Sequence, residues 1–230
     1  MNVVEIGSGL GVTSLWMAQA MKENGAGRLW TLDDGSDWRD VKELRATIAP
    51  LADVEPFVAL DIKNLDYALY IQNCIDLLQL TNQLTFLAGH MDMANEEAFT
   101  AERYPFLKQP VDFVFHDITR APDDVLDLLF LMLPHVSETA SIFIDSVSTS
   151  LTGYLFLERL IGQLNSGKVP RRFLLGKSEN HRRALVDLVP RRRFSLTHLI
   201  ERKARPQNST AWIKIEPNDY LPHPETLMKW

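Results

Sequence analysis

Three glycines, Gly7, Gly9 and Gly11, interrupt the apolar stretch VVEIGSGLGVTSLWMAQA between Val3 and Ala20. A strand-like run precedes them and a helix-like run follows. Helix N-termini present unpaired N–H groups and the positive end of the helix dipole, and glycine lets a ligand approach the backbone closely. Such a turn suits a nucleotide-like ligand. The dinucleotide fingerprint G-x-G-x-x-G would place its third glycine where Val12 stands. Glu5 ends the strand just ahead of the turn. Its carboxylate would repel a pyrophosphate and attract an amino group or a sulfonium. Asp33 closes a second apolar run, in LWTLDD, where a carboxylate can accept both hydroxyls of a ribose.

These residues need a scaffold, and the pattern supplies one. NVVEIG, GRLWTLDD, QLTFLAG, VDFVFHD and ASIFIDS read as strands. VTSLWMAQAMKEN reads as a helix stopped by Gly25, as do DWRDVKELRATIAPL and NLDYALYIQNCIDLLQL. PDDVLDLLFLMLPHV has Pro122 near its start and acidic residues in its first turn, which suits the helix dipole. LTGYLFLERLIGQLN is a further helix, and SENHRRALVDLV reads as a short extra one. FSLTHLIE and AWIKIEP are late strands with only a polar loop between them, so they should pair antiparallel at one edge. Alternating strands and helices mean parallel strands with right-handed crossovers. The expectation is an α/β, doubly wound, mostly parallel seven-stranded sheet with an antiparallel edge strand, formed by a single domain over 1–230.

At 230 residues and 46% hydrophobic the chain can bury one sizeable core. No apolar run approaches the roughly 20 residues of a bilayer span, and the N-terminus has no basic segment leading an apolar one, so no membrane association is expected. Cys74, the one cysteine, lies in the helical pattern YIQNCIDLLQL and reads as a small core residue. With no internal disulfide available, these features point to a cytoplasmic protein. The net charge of −6 hides an asymmetry: residues 168–205 carry 12 Lys and Arg against 3 Asp and Glu. This stretch is either a solvated basic face, paired with the acidic part or another subunit, or a site for an acidic substrate or nucleic acid. Its arginines lack the aromatic interleaving of single-strand binders, which favours the first reading.

On VVEIGSGLG (E-x-G-x-G-x-G) and LWTLDD, the sequence resembles the class I S-adenosylmethionine-dependent methyltransferases, a Rossmann-like family whose seventh strand is antiparallel. Within that class EIGSGLGVTSLWMA, VDFVFHD and SIFIDS look most like the small-molecule O-methyltransferases related to catechol O-methyltransferase. The resemblance implies S-adenosyl-L-methionine as cofactor. Glu5 would help hold the methionine amino group, through water or backbone. Gly7, Ser8, Gly9 and Gly11 would wrap the methionine part. Thr13 could bond its carboxylate, or simply cap the helix. Asp33 would take the ribose. Where such enzymes often carry an aspartate after the glycine for the adenine amino group, AGHMDM offers Gly89 followed by His90, with Asp92 as the substitute.

Metal-dependent relatives place one aspartate after the fourth strand and a pair after the fifth, together binding a magnesium-like ion that orients a catechol and lowers its hydroxyl pKa. Here Asp117 and Asp145 fill two of these positions, and Ser146 fills the third. Ser146 is a poor ligand, which argues against a firmly held magnesium. If a metal is used, Asp117 and Asp145 hold it. A metal-free site needs a base, for which His116 and Asp117 are the candidates. His116 could equally point into the layer between sheet and helices as a satisfied core histidine. No D/N-P-P-Y-like turn follows the fourth strand, which favours an oxygen acceptor over a nitrogen one.

Related small-molecule enzymes carry helices before the first strand that shape the acceptor pocket. Only Met1 and Asn2 precede it here, so either the chain begins late or other parts form the lid. Insertions at 35–81 and, rich in arginine, at 168–193 are candidate lids, and a second copy of the chain could also close the site. Arg171, Arg172, Arg182 and Arg183 are expected nearer an acceptor pocket than Arg191, Arg192 and Arg193. The expected activity is methylation of a small-molecule hydroxyl, and an acidic acceptor is the alternative use of the arginines if they are not a solvated or paired face. The competing readings are a non-catalytic binding or regulatory protein of the same fold, and an RNA methyltransferase using 168–205. The NST at Asn208 matches a glycosylation sequon, without meaning in a cytoplasmic setting.

Overall fold

The computed structural model describes residues 1–93, 95–118, 121–147, 151–175, 177–200 and 209–219. The sequon at Asn208 and positions 201–205 of the basic stretch lie outside the described residues. Seven strands follow the order β3-β2-β1-β4-β5-β7-β6, taking β1 as Asn2–Ile6, β2 as Arg28–Asp33, β3 as Leu84–Ala88, β4 as Val111–His116, β5 as Val136–Asp145, β6 as Arg192–Ile200 and β7 as Ser209–Pro217. This is a Rossmann-like, mostly parallel sheet with helices in its crossovers. The chain forms two compact units, Met1–Asp92 and Met93–Trp230.

In the first unit β2 pairs in parallel with both β1 and β3. All five residues of β1 are buried, among them Val3, Val4 and Ile6, as apolar residues on both faces of a strand in a parallel sheet require. Helix α1, Val12–Glu23, begins at Gly11, which holds a left-handed φ of 80°. It ends at Asn24 before Gly25, whose φ of 66° lets the chain turn away. The segment from Gly35 to Thr81 carries α2, Val41–Ile48, and α3, Tyr67–Leu77, among short 3-10 turns. Both helices are shorter than the periodicity predicts because aspartates fix their starts: Asp40 accepts the Lys42 N–H at 2.8 Å and Asp66 the Leu69 N–H at 2.8 Å. Pro50 then turns the end of α2 into a 3-10 turn. Cys74 is 1% exposed, a core residue of α3.

In the second unit β4 and β5 are parallel, and β7 pairs antiparallel with both β5 and β6, the antiparallel edge expected from the missing crossover helix. Helix α4, Pro122–Met132, starts on Pro122 with Asp123 and Asp124 in its first turn, and its apolar face is buried. Helix α5, Leu151–Asn165, follows β5. The arginine-rich insertion folds as a single turn, α6 at Arg171–Leu174, and α7 at Glu179–Leu188, which is capped by Ser178. No helix among the described residues is long and apolar enough to cross a membrane.

Candidate functional site

The glycine turn is a backbone cradle fastened from two sides. Gly7, Gly9 and Gly11 all hold positive φ (96°, 52° and 80°), a conformation that strains any other residue. The Gly7 N–H donates to the Leu32 carbonyl at 2.9 Å, continuing the β1–β2 pairing into the turn. One oxygen of Asp33 accepts the N–H groups of Ser8 at 2.8 Å and Gly9 at 3.0 Å, and its other oxygen accepts the Gly35 N–H at 2.7 Å. Both oxygens of Asp33 are thus engaged by backbone amides of the turn and of Gly35.

Glu5 is fully buried beneath the turn. The register of β1 and β2 sets Glu5 beside Thr31, whose hydroxyl donates to the Glu5 carboxylate at 2.6 Å. Ser14 of α1 donates to the same oxygen. The Ser8 and Thr31 hydroxyls bond to each other at 2.5 Å. This carboxylate ties strand, turn and helix together. Thr13 is exposed in the first turn of α1, and the N-cap is Gly11, with no side-chain hydrogen bond.

Two tyrosines of α3 hold the opposite side of the turn. The Tyr67 hydroxyl donates to the Gly9 carbonyl at 2.8 Å, and the Tyr70 hydroxyl to the Leu10 carbonyl at 3.2 Å. Gly35 makes space for Tyr67: a side-chain carbon at position 35 would lie 2.5 Å from its ring. Burial, and then the nearby Asp33 charge, push the Tyr67 hydroxyl pKa far up, so it stays a donor. Sequence reasoning missed Ser14, Thr31, Tyr67 and Tyr70. The β1–β2 register could have flagged Thr31, but nothing local to the tyrosines announces their long-range partners.

Beyond β3, the Gly89 N–H donates to the Asp33 carbonyl at 2.9 Å. His90 and Asp92 are both exposed. His90 Nδ1 lies 3.6 Å from an oxygen of Asp34, the second aspartate of LWTLDD. Hydrogen bonds from Ser36, opposed by slight burial and helped by His90, hold the Asp34 carboxyl below its ordinary range.

In the second unit, the register pairing His116 with Ile144 sets Asp117 and Asp145 at the same level, at the C-terminal ends of adjacent strands. His116 is fully buried while Asp117 is exposed. Asp145 accepts the Ser146 hydroxyl at 2.7 Å on one oxygen and the Thr210 hydroxyl at 2.9 Å on the other. Ser146 holds a left-handed φ of 56° and is 1% exposed. Among the described residues no group of three metal-ligating side chains occurs.

The methyltransferase domain family matches residues 4–147, from β1 through Val147. The chain belongs to this family. As a methyltransferase domain it is an S-adenosylmethionine-dependent enzyme. No curated protein matches its sequence. Similar solved structures include a protein assigned as an O-methyltransferase from Klebsiella pneumoniae (14% identity, 93% of this chain and 72% of that one, TM-score 0.43). Another is assigned as an rRNA methylase from Clostridium thermocellum (15% identity, 94% and 88%, TM-score 0.47). A third is the MycE methyltransferase of mycinamycin biosynthesis, solved with Mg, SAH and mycinamycin VI (16% identity, 99% and 47%, TM-score 0.48).

The basic stretch after α5 is largely paired within its own unit. Arg172 meets Asp123 at 2.7 Å, Arg182 and Arg183 each meet Glu179 at 2.9 Å, and Arg193 meets Glu216 at 2.9 Å. Arg192 lies 3.8 Å from Glu138. These are surface pairs, worth about 0–1 kcal/mol each, and they consume much of the positive field that an acidic ligand would meet.

Proposed function

We propose that this single methyltransferase domain transfers a methyl group from S-adenosylmethionine to a hydroxyl of a small molecule. The observation that carries the reading is the glycine turn pinned by Asp33. A side-chain carbon built on Gly9 or Gly89 meets no atom within 4 Å, so open space borders the backbone at both positions, and the residues fit the cofactor. Gly7, Ser8, Gly9 and Gly11 would wrap its methionyl part, with Thr13 near the carboxylate. Asp33, joined by its exposed neighbour Asp34, would face the ribose, and His90 and Asp92 the base. Glu5, buried and held by two hydroxyls, sets the shape of the turn. When bound, the cofactor supplies an electrophilic methyl group on a sulfonium.

The protein then has to orient one oxygen and receive one proton. Asp117 is the exposed carboxylate suited to accept that proton. Burial of His116 favours its reading as a core histidine. Asp145, held by Ser146 and Thr210, lies level with Asp117 and orients the acceptor hydroxyl. Orientation is the larger contribution, since fixing reactants in line converts a bimolecular encounter into an intramolecular one. The absence of a D/N-P-P-Y-like turn after β4 supports oxygen over nitrogen as the acceptor.

Calorimetry with S-adenosylhomocysteine tests the cofactor half. Micromolar binding is expected, with a raised melting temperature and no binding of NAD. Asp33→Ala should weaken binding by about 1–3 kcal/mol, because two turn amides and a ligand hydroxyl lose a charged acceptor. Binding of NAD without S-adenosylhomocysteine would overturn the reading. A screen of phenols and alcohols for methyl acceptance tests the other half.

A further inference from the structure

Two large apolar side chains of α1 stand in the open: Val12 is 62% exposed and Trp16 73%. One helical turn apart, they share a face. That face is not a flat surface patch. With Leu15 it forms one wall of a cavity of about 450 Å³, closed by Ile48 at the end of α2, Leu51 and Phe57 in the 3-10 turns after it, and Leu78 after α3. All of these residues belong to the first unit. The volume falls within the roughly 300–1,000 Å³ typical of small-molecule sites.

The polar atoms of the lining are few and mostly engaged. The Tyr70 hydroxyl donates to the Leu10 carbonyl, the Thr47 hydroxyl donates to the Glu43 carbonyl at 2.9 Å, and the Gln19 amide donates to Glu23 at 2.8 Å. The Gln19 amide oxygen is left to accept a hydrogen bond from a guest. No lining residue is an acid, a lysine, an arginine or a histidine. A zwitterionic, sulfonium-bearing cofactor finds no counter-charge here, and none of the residues proposed to hold the cofactor or the acceptor lines the cavity.

We propose that this cavity is a second binding site, for an uncharged, ring-bearing apolar molecule of two or three rings, seated against Trp16 and Phe57, with polar contact limited to neutral oxygens such as the Gln19 amide. Aromatic walls with few, uncharged polar contacts select for shape and apolar area rather than charge. The compact volume, walled by α1, α2, α3 and the turns between them, suits such a molecule better than an extended peptide, which needs a continuous groove.

The test is titration of the full chain with N-phenyl-1-naphthylamine, a neutral three-ring fluorescent probe whose emission rises in apolar surroundings. Saturable one-to-one binding in the micromolar range is expected, with quenching of tryptophan emission. Trp16→Ala removes an exposed side chain and should leave the melting temperature within a few degrees while weakening binding at least tenfold. Thr47→Trp fills the cavity from the opposite wall and should abolish binding. Absence of saturable binding, or affinities in both folded variants within twofold of the parent, would overturn the proposal. So would sedimentation showing that the Trp16 face is buried in a dimer of the parent chain, a dimer that Trp16→Ala dissociates.

Discussion

Asp145 shows how a single side chain sets a prediction. Both of its oxygens accept hydroxyl hydrogens, from Ser146 and Thr210, so each is already engaged within the protein. Mg²⁺ demands near-octahedral oxygen ligands and gives up its waters reluctantly, and Ser146 offers a hydroxyl where a third carboxylate or amide would be needed. Methyl transfer assayed with excess EDTA should therefore retain most of its rate. Complete loss restored by Mg²⁺ would show that Asp117, Asp145 and a water on Ser146 form a metal site after all. At this scale the sequence revealed residue types and concealed their partners. Glu5 and Asp33 were legible as carboxylates beside a glycine turn. Their actual bonds were not: Asp33 binds backbone amides of the turn, and Glu5 takes the hydroxyls of Ser14 and Thr31. Those bonds depend on strand register and on the rotation of α1, which no local pattern encodes.

Among the elements, α3 contributes more than its packing. Its two hydroxyls bond successive carbonyls of the turn, Gly9 and Leu10. Tyr67→Phe removes one donor, leaves the ring against Phe86, and should cost about 0.5–1.5 kcal/mol in stability. If Tyr67 positions the turn, affinity for S-adenosylhomocysteine should also fall severalfold by calorimetry at a temperature where the variant is fully folded. A variant with lowered melting temperature and parental affinity would reduce Tyr67 to a packing role. The insertion at 35–81 was legible as excess length, and its helices by period. That one of its helices clamps the turn was not.

The α7 start is the second such element. Glu96 accepts the Ser178 N–H at 3.0 Å and also the Ser178 hydroxyl, with His181 Nδ1 at 3.7 Å. Burial alone would raise the Glu96 carboxyl, but the Ser178 bonds, with His181 and Lys177, hold it below its ordinary value of 4.5. A carboxyl with a depressed folded-state pKa stabilises the fold fully above its unfolded value, and the contribution fades as pH falls through the folded one. Glu96→Gln should therefore lower the melting temperature at pH 7. The gap between variant and parent should close as the pH falls below 4.5 and through the parent's depressed folded-state value, where its own carboxyl protonates. A gap independent of pH would mean that shape and not charge accounts for Glu96.

For the whole molecule, the sheet was the most legible feature, because buried parallel strands read as continuous apolar runs and the missing last crossover helix announced the antiparallel pair. The charge asymmetry was legible too, but its meaning was not, since sequence alone does not say which charges meet. Among the described residues Arg172, Arg182, Arg183 and Arg193 all lie within 3 Å of carboxylates of their own unit. The chain as a whole carries −6. Non-specific nucleic-acid binding depends on releasing counterions from phosphates by unpaired cations, with a slope of about −0.7 per phosphate contact for single strands. These four arginines must leave their carboxylates before they can meet phosphates, against the repulsion of the net charge. No shift of a structureless RNA 20-mer is therefore expected in gel or anisotropy titrations, even at about 50 mM salt, where such contacts are strongest. Binding that weakens steeply between 50 and 200 mM salt, and that Arg171→Glu with Arg172→Glu abolishes, would instead make the acceptor an RNA and this insertion its seat.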